Sequence, residues 1–292
     1  MDSNGAPQTG AIVVGVDSSV DSDLAVSWAL ALAERTHRPV HFVHVQPAAP
    51  PYVSGEEALE SWDRAGQSVL DLAVAEAEQV HGVPVSAQNV RDDGRATAEV
   101  LTRLSREAFL LVLGARGHGG FSGLLMGSVS QHASRHATCP VVAVRAPADP
   151  RAHRVVVGVD DSEGAQDALG IAFEVAAARR LDVTAIHAWH APSLYGPGVA
   201  VLPMRQDVGE HLGEQEQMLA RLVAPWRQKY PAVAVTTEVI PGHPGEVLGT
   251  ASEHAALVVV GSRGRGAFAG MLLGSVGQEV LHRARCPVAI AR

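Results

Sequence analysis

The sequence predicts an α/β protein of two tandem units, each a doubly wound parallel sheet with helices on both faces. Three observations carry this. Short β-branched runs alternate with amphipathic helical patterns, which calls for parallel βαβ crossovers buried on both faces. The alternation occurs twice: VVGVDSS at 13–19 returns as VVGVDDS at 156–162, FVHVQ at 42–46 as AIHAW at 185–189, and TCPVVAV at 138–144 as RCPVAIA at 285–291. A glycine-rich stretch, GARGHGGFSGLLMGS at 114–128, recurs as GSRGRGAFAGMLLGS at 261–275, with nine of fifteen positions identical.

In the first unit AIVVGVD is strand one and DLAVSWALALAERTH spaces its apolar residues along one helical face. PVHFVHV is strand two, a long helix covers 56–81, and VPVSAQNV is strand three. TAEVLTRLSRE is helix three and AFLLVLG strand four; after the glycine stretch come helix four, SVSQHASRHAT, and strand five, PVVAV. The second unit follows the same order. The offset between copies grows from 143 to 147 residues, so the second carries a small insertion. The join falls in RAPADPRAHR, 145–154, which has the proline and charge content of a linker, giving domains 1–147 and 148–292.

The chain has 292 residues, 47% hydrophobic and 18% charged, with a formal net charge of −8. That balance suits packed cores and argues against coating a nucleic acid or a membrane surface. A small anion is not excluded, because backbone dipoles hold one locally. Lys229 is the only lysine, so Walker A, kinase-lysine and Schiff-base chemistry have no lysine to use. Cys139 and Cys286 each precede a proline and an apolar run, read as buried thiols, and fit a reducing cytoplasm. The segment MDSNGAPQTG has no export pattern and no apolar run reaches membrane-helix length, so a cytoplasmic protein is expected.

The glycine stretch lies between strand four and helix four. Open parallel sheets bind ligands beyond the carboxyl ends of their strands, where strand order reverses. Glycine permits positive φ and close approach to the main chain, and successive free N–H groups make a concave anion site. The stretch ends in Gly127-Ser128 and Gly274-Ser275, each opening a helix whose N-terminus offers unpaired donors and a positive dipole end. Arg116 and Arg263 supply fixed positive charge. A Rossmann fingerprint would follow strand one, where VDSSVDS holds no glycine. Asp17 and Asp160, at the strand-one ends, are either caps for the next helix or ligand-facing groups; the crevice position favours the latter.

These residues resemble the universal stress proteins, in the tandem-domain form common in actinobacteria. The family's motif G-x2-G-x9-G-[ST] reads Gly114, Gly117, Gly127, Ser128 and again Gly261, Gly264, Gly274, Ser275. The V-D-x-S pattern matches as Asp17-Ser18-Ser19 and Asp160-Asp161-Ser162. The resemblance implies a flavodoxin-like or HUP-type (Rossmann-like) fold with five parallel strands in the order 3-2-1-4-5. It implies ATP; the crevice position of Asp17 and Asp160 adds the expectation of a Mg²⁺ ion bridging carboxylate, water and phosphates. The nucleotide contacts it implies are Gly15, Asp17, Val45, Gly114, Arg116, Gly117, Gly127 and Ser128 in unit one. In unit two they are Gly158, Asp160, Ala188, Gly261, Ser262, Arg263, Gly264, Gly274 and Ser275. It also implies pairing of the fifth strands in an internal pseudo-dimer, leaves a further homodimer open, and implies a regulatory protein partner of unknown identity. The function it implies is a nucleotide-dependent regulator of a stress or dormancy response. Two alternatives stay open: a slow ATP hydrolase or nucleotide-dependent transferase, and a scaffold with vestigial sites. No catalytic residue is assigned, because no general base or arginine finger is evident in the sequence.

Two departures stand out. Unit one has Ala115 against Ser262 and His118 against Arg265, so a hydroxyl contact is expected only in unit two. Gly94 and Gly242 correspond in the loops before helix three. Of fourteen histidines, His132 with His136 and His187 with His190 have metal-like spacing, but neither pair recurs or has an obvious third ligand. His44 and His187 correspond between units beside the implied adenine pocket, where packing or a hydrogen bond accounts for them. Trp28 and Trp62 are expected to fill core or helix-face positions.

Overall fold

Ile12, Val13 and Val14 have no exposed surface because β1 (Ile12–Gly15) is the central strand of its sheet. In the computed structural model, residues 6–91, 96–118, 126–189, 195–196, 199–200, 205–265 and 272–292 are described. They divide into two units, Met1–Ala146 and Pro147–Arg292. Unit one continues with α1 (Val20–Thr36), β2 (Val40–Gln46), α2 (Glu56–Ala77), β3 (Val85–Arg91) and α3 (Thr97–Leu104), then β4 (Leu110–Gly114), α4 (Ser128–His136) and β5 (Val141–Val144). All pairings are parallel, in the order β3-β2-β1-β4-β5. This is the order the resemblance implied.

β1 pairs with β2 on one side and β4 on the other, from Ile12 opposite both Val40 and Leu110 to Gly15 opposite Val43 and Leu113. The chain therefore reverses direction across the sheet at β1, and the crevice of such a fold opens above Gly15 and Gly114. α1 and α2 pack on one face. Ala25, Ala29 and Ala33 are fully buried, and these small side chains let α1 lie close to the strands. On the other face Val43, Val45, Leu111 and Leu113 meet Leu101 of α3 and Ala133 of α4.

Unit two repeats the plan with β6 (Arg154–Gly158), α5 (Glu163–Arg179), β7 (Asp182–Trp189), α6 (Arg205–Lys229) and β10 (Val235–Pro241). It ends with α7 (Pro244–Ala251), a 3-10 turn at Ser252–His254, β11 (Leu257–Gly261), α8 (Ser275–Arg283) and β12 (Val288–Ala291). Its order is β10-β7-β6-β11-β12, again all parallel. The insertion that the offset implied shows as a longer second helix, 25 residues against 22, preceded by a short antiparallel ribbon of β8 (Tyr195–Gly196) and β9 (Val199–Ala200). Gly242 leaves β10 at φ +145°, which a side chain rarely adopts; its expected counterpart Gly94 lies outside the described residues.

α1 and α5 end alike, on His37 and Arg180 in the left-handed region at φ 53° and 56°. Glycine is the usual residue there because a β-carbon crowds the carbonyl. Arg180 is exposed, so little but its backbone conformation is at stake. Arg180→Gly is expected to raise stability by about 0.5–1 kcal/mol, read as a higher urea midpoint with an unchanged slope.

Candidate functional site

The strand-one aspartates organise each crevice. Asp17 Oδ1 accepts from the Ser19 amide at 3.0 Å and the Ser19 hydroxyl at 2.6 Å. Asp160 Oδ1 accepts from the Ser162 amide at 3.1 Å and from its hydroxyl. The helix caps are therefore the serines: Ser19 caps α1 and its Oγ accepts from the Ser22 amide, while Ser162 holds the N-cap position of α5. Asp17 and Asp160 are freed from capping and line their crevices. Their second oxygens lie against the glycine loop. A β-carbon on Gly117 would collide with Asp17 Oδ2, and one on Gly264 would lie 2.6 Å from Asp160 Oδ2.

The loop is also closed by its own main chain. The Gly127 amide donates to the Ala115 carbonyl at 2.7 Å, and the Gly274 amide to the Ser262 carbonyl at 2.8 Å. Ala115 and Ser262 are held from the other side through their amides, which donate to Val144 and Ala291. Gly127 and Gly274 are the N-caps of α4 and α8 and bring no side chain to the first-turn N–H groups. Those donors are left for whatever enters the crevice.

None of Gly114, Gly117, Gly127 or their unit-two counterparts has a positive φ. The sequence reading of these glycines as sites of conformational freedom is corrected here: they are glycine for close approach. A β-carbon on Gly114 would lie 2.7 Å from the Asp21 backbone, and one on Gly261 2.6 Å from the Gly164 carbonyl oxygen. The first turn of α1 or α5 is thereby packed tightly against the end of strand four.

The crevice of unit one measures about 680 Å³ and that of unit two about 440 Å³, within the range of small-ligand sites. Their floors are apolar. Leu101 and Leu113 lie beneath Gly15, where a β-carbon would meet both, and Leu248 and Val260 lie beneath Gly158 in the same way. The sequence reading missed this floor, although the apolar positions of helix three repeat between units. His44 Nδ1 is 2.8 Å from the Val16 carbonyl and His187 Nδ1 2.7 Å from that of Val159, so each donates from Nδ1 to the strand-one end. Both rings line a crevice in a fixed tautomer.

The model of the "Universal stress protein family" matches residues 9–145 and again 151–292. The chain belongs to the universal stress protein family. It is 38% identical over 293 residues to universal stress protein Rv2623 of Mycobacterium tuberculosis, covering 96% of each chain. It is 36% identical over 292 residues to universal stress protein Rv2005c of the same organism, again covering 96% of each. The crystal structure of a universal stress protein from Archaeoglobus fulgidus shares the fold, with a TM-score of 0.66 and 21% identity over 98% of this chain and 97% of that one.

In the first universal stress domain, Gly15, Asp17, Val45, Gly114, Arg116, Gly117, Gly127 and Ser128 all line one crevice. In the second, Gly158, Asp160, Ala188, Gly261, Arg263, Gly264, Gly274 and Ser275 do so. Ser262 does not; it is buried beside the fifth strand and holds the loop through its main chain, so the hydroxyl expected to distinguish the units lies outside the crevice lining. The loop arginines differ too. Arg116 is tied to buried Asp21, whose Oδ2 accepts from its amide at 3.1 Å and from Nε at 3.2 Å. In unit two the ion pair moves to Arg265, whose Nε is 3.0 Å from Asp161.

The remaining candidates separate from the crevices. His132 and His136 stack on α4 with ring centroids 4.2 Å apart, and no cluster of three metal-ligating side chains occurs among the described residues. His190 and the middle of each glycine loop, 119–125 and 266–271, lie outside those residues. Trp28, Cys139 and Cys286 are buried, and Trp62 is half-buried, donating to the Pro47 carbonyl.

Gly117→Ala is expected to destabilise unit one through collision with Asp17. In an Asp17→Ala background the same change should cost less, by about 1 kcal/mol in a double-mutant cycle read by urea unfolding. Equal costs in both backgrounds would contradict the contact.

Proposed function

We propose that each crevice binds one adenine nucleotide, ATP with Mg²⁺, and that occupancy sets the conformation or partner choice of a stress-response regulator. The observation that carries this is the pair of helix N-termini capped only by glycine, Gly127 and Gly274, each set in a crevice with an apolar floor. Bare first-turn amides and a loop arginine suit a phosphate chain without a lysine. The apolar floor beside Val45 and Ala188 suits a flat base. A single carboxylate per crevice, Asp17 or Asp160, fits Mg²⁺ in the mode where the ion keeps waters and phosphate oxygens as its other ligands. Gly15, Gly114, Arg116, Gly117 and Ser128, with Gly158, Gly261, Arg263, Gly264 and Ser275, line the same two crevices, while Ser262 acts through its backbone.

Binding is favoured over rapid turnover. Asp17 and Asp160 are each engaged by serine donors and packed on the loop. A general base needs a free acceptor within reach of the attacking water. ATP at a hundredfold excess over Kd is expected to add about 2.7 kcal/mol per site to stability, followed by thermal unfolding. Absence of any ATP-dependent shift would overturn the proposal. Phosphate release above background that disappears in Asp160→Ala would replace the regulator with a hydrolase.

A further inference from the structure

We propose that Asp21 makes the first crevice the weaker site for the anionic end of a nucleotide, so that the second crevice fills first. This rests on the nucleotide-binding reading above. Asp21 sits in the first turn of α1, 5% exposed, and its Oδ2 accepts from both the amide and Nε of Arg116. Arg116 is the loop cation of unit one and lines its crevice. Its charge is thus matched by a buried carboxylate before any ligand arrives.

The second unit cannot copy this device. Gly164 occupies the place of Asp21, and a β-carbon there would lie 2.5 Å from the Arg263 carbonyl oxygen. Arg263 lines the crevice, and among the described residues its guanidinium has no ion-pair partner. The loop residues 119–125 and 266–271 contain no acid in either unit. The charged groups differ accordingly. With Asp21 and Asp161 counted as the acids that pair with loop arginines without lining the crevices, Asp17, Asp21 and Arg116 sum to one net negative charge at crevice one, whereas Asp160, Asp161, Arg263 and Arg265 cancel at crevice two. The Arg265–Asp161 pair is about half exposed on both sides and weakly held, so a phosphate displaces Asp161 readily. Arg116 is as exposed as Arg265, but its partner differs: the Asp21 side chain is 6% exposed, so its carboxylate is poorly screened and cannot turn out to solvent as Asp161 can.

A calorimetric titration with ATP, and in parallel with adenosine, tests this. The wild-type chain is expected to bind ATP in two steps of unequal affinity. Asp21→Asn removes the charge while leaving an acceptor for the Arg116 amide. It should tighten the weaker step roughly tenfold and leave the tighter step and adenosine affinity unchanged. A second pair of variants gives the same answer without touching the α1 turn. Arg263→Gln should weaken the tighter step roughly tenfold, and Arg116→Gln should weaken the other step by less, because its charge is already matched. Equal steps in the wild type, or a weaker step that Asp21→Asn leaves unchanged or loosens further, would overturn the inference. The last outcome would make Asp21 a positioning residue for Arg116. Binding of neither ATP nor adenosine would instead overturn the nucleotide-binding reading itself.

Discussion

A carboxylate at the end of the central strand rests on the main chain of the glycine loop in each unit, and this contact leaves no room for a side chain between them. Asp17 lies over Gly117 and Asp160 over Gly264. Each aspartate is fixed in turn by the serine two residues on, and that serine stands at the N-cap of the following helix. One chain of contacts thereby ties the switch point of the sheet to the start of the first helix and to the loop after strand four. The residues that line the crevice are held by the same contacts that hold the fold.

The second consequence falls on helix four. Gly127 and Gly274 close the loop through their amides and, having no side chain, give the helices they cap no acceptor for the first turn. A buried helix start without partners is costly unless water or a ligand supplies them. The crevice is therefore polar at one wall, where amides and a loop arginine meet, and apolar on its floor, where leucine and valine side chains lie under Gly15 and Gly158. That division suits a molecule with an anionic end and a flat, apolar end.

The architecture was legible because it was written twice. Two copies of VVGVD, of a glycine stretch and of a CPV strand entry located the strands, and the alternation of strand and helix made the sheet parallel. The residues at the crevice were legible for the same reason. Other features were not. Asp21 and Arg116 are 95 positions apart, and nothing in local spacing says that a buried acid meets that arginine. Ser19 rather than Asp17 caps α1 because both have capping chemistry and only the backbone decides between them. The loop glycines carried two readings, positive φ and close approach, which a single letter cannot separate; Asp17, Asp21 and Gly164 around them decide for close approach. The ribbon of β8 and β9 had no counterpart in unit one to announce it.

The measurement that bears most directly on the account is the stoichiometry of radiolabelled ATP bound at saturation in equilibrium dialysis. Two crevices built on the same aspartate–glycine contact should hold two molecules per chain, and Gly127→Pro with Gly274→Pro, which remove the loop-closing amides, should abolish both. No bound ATP at any concentration, or binding that survives the loss of both loop closures, would contradict it.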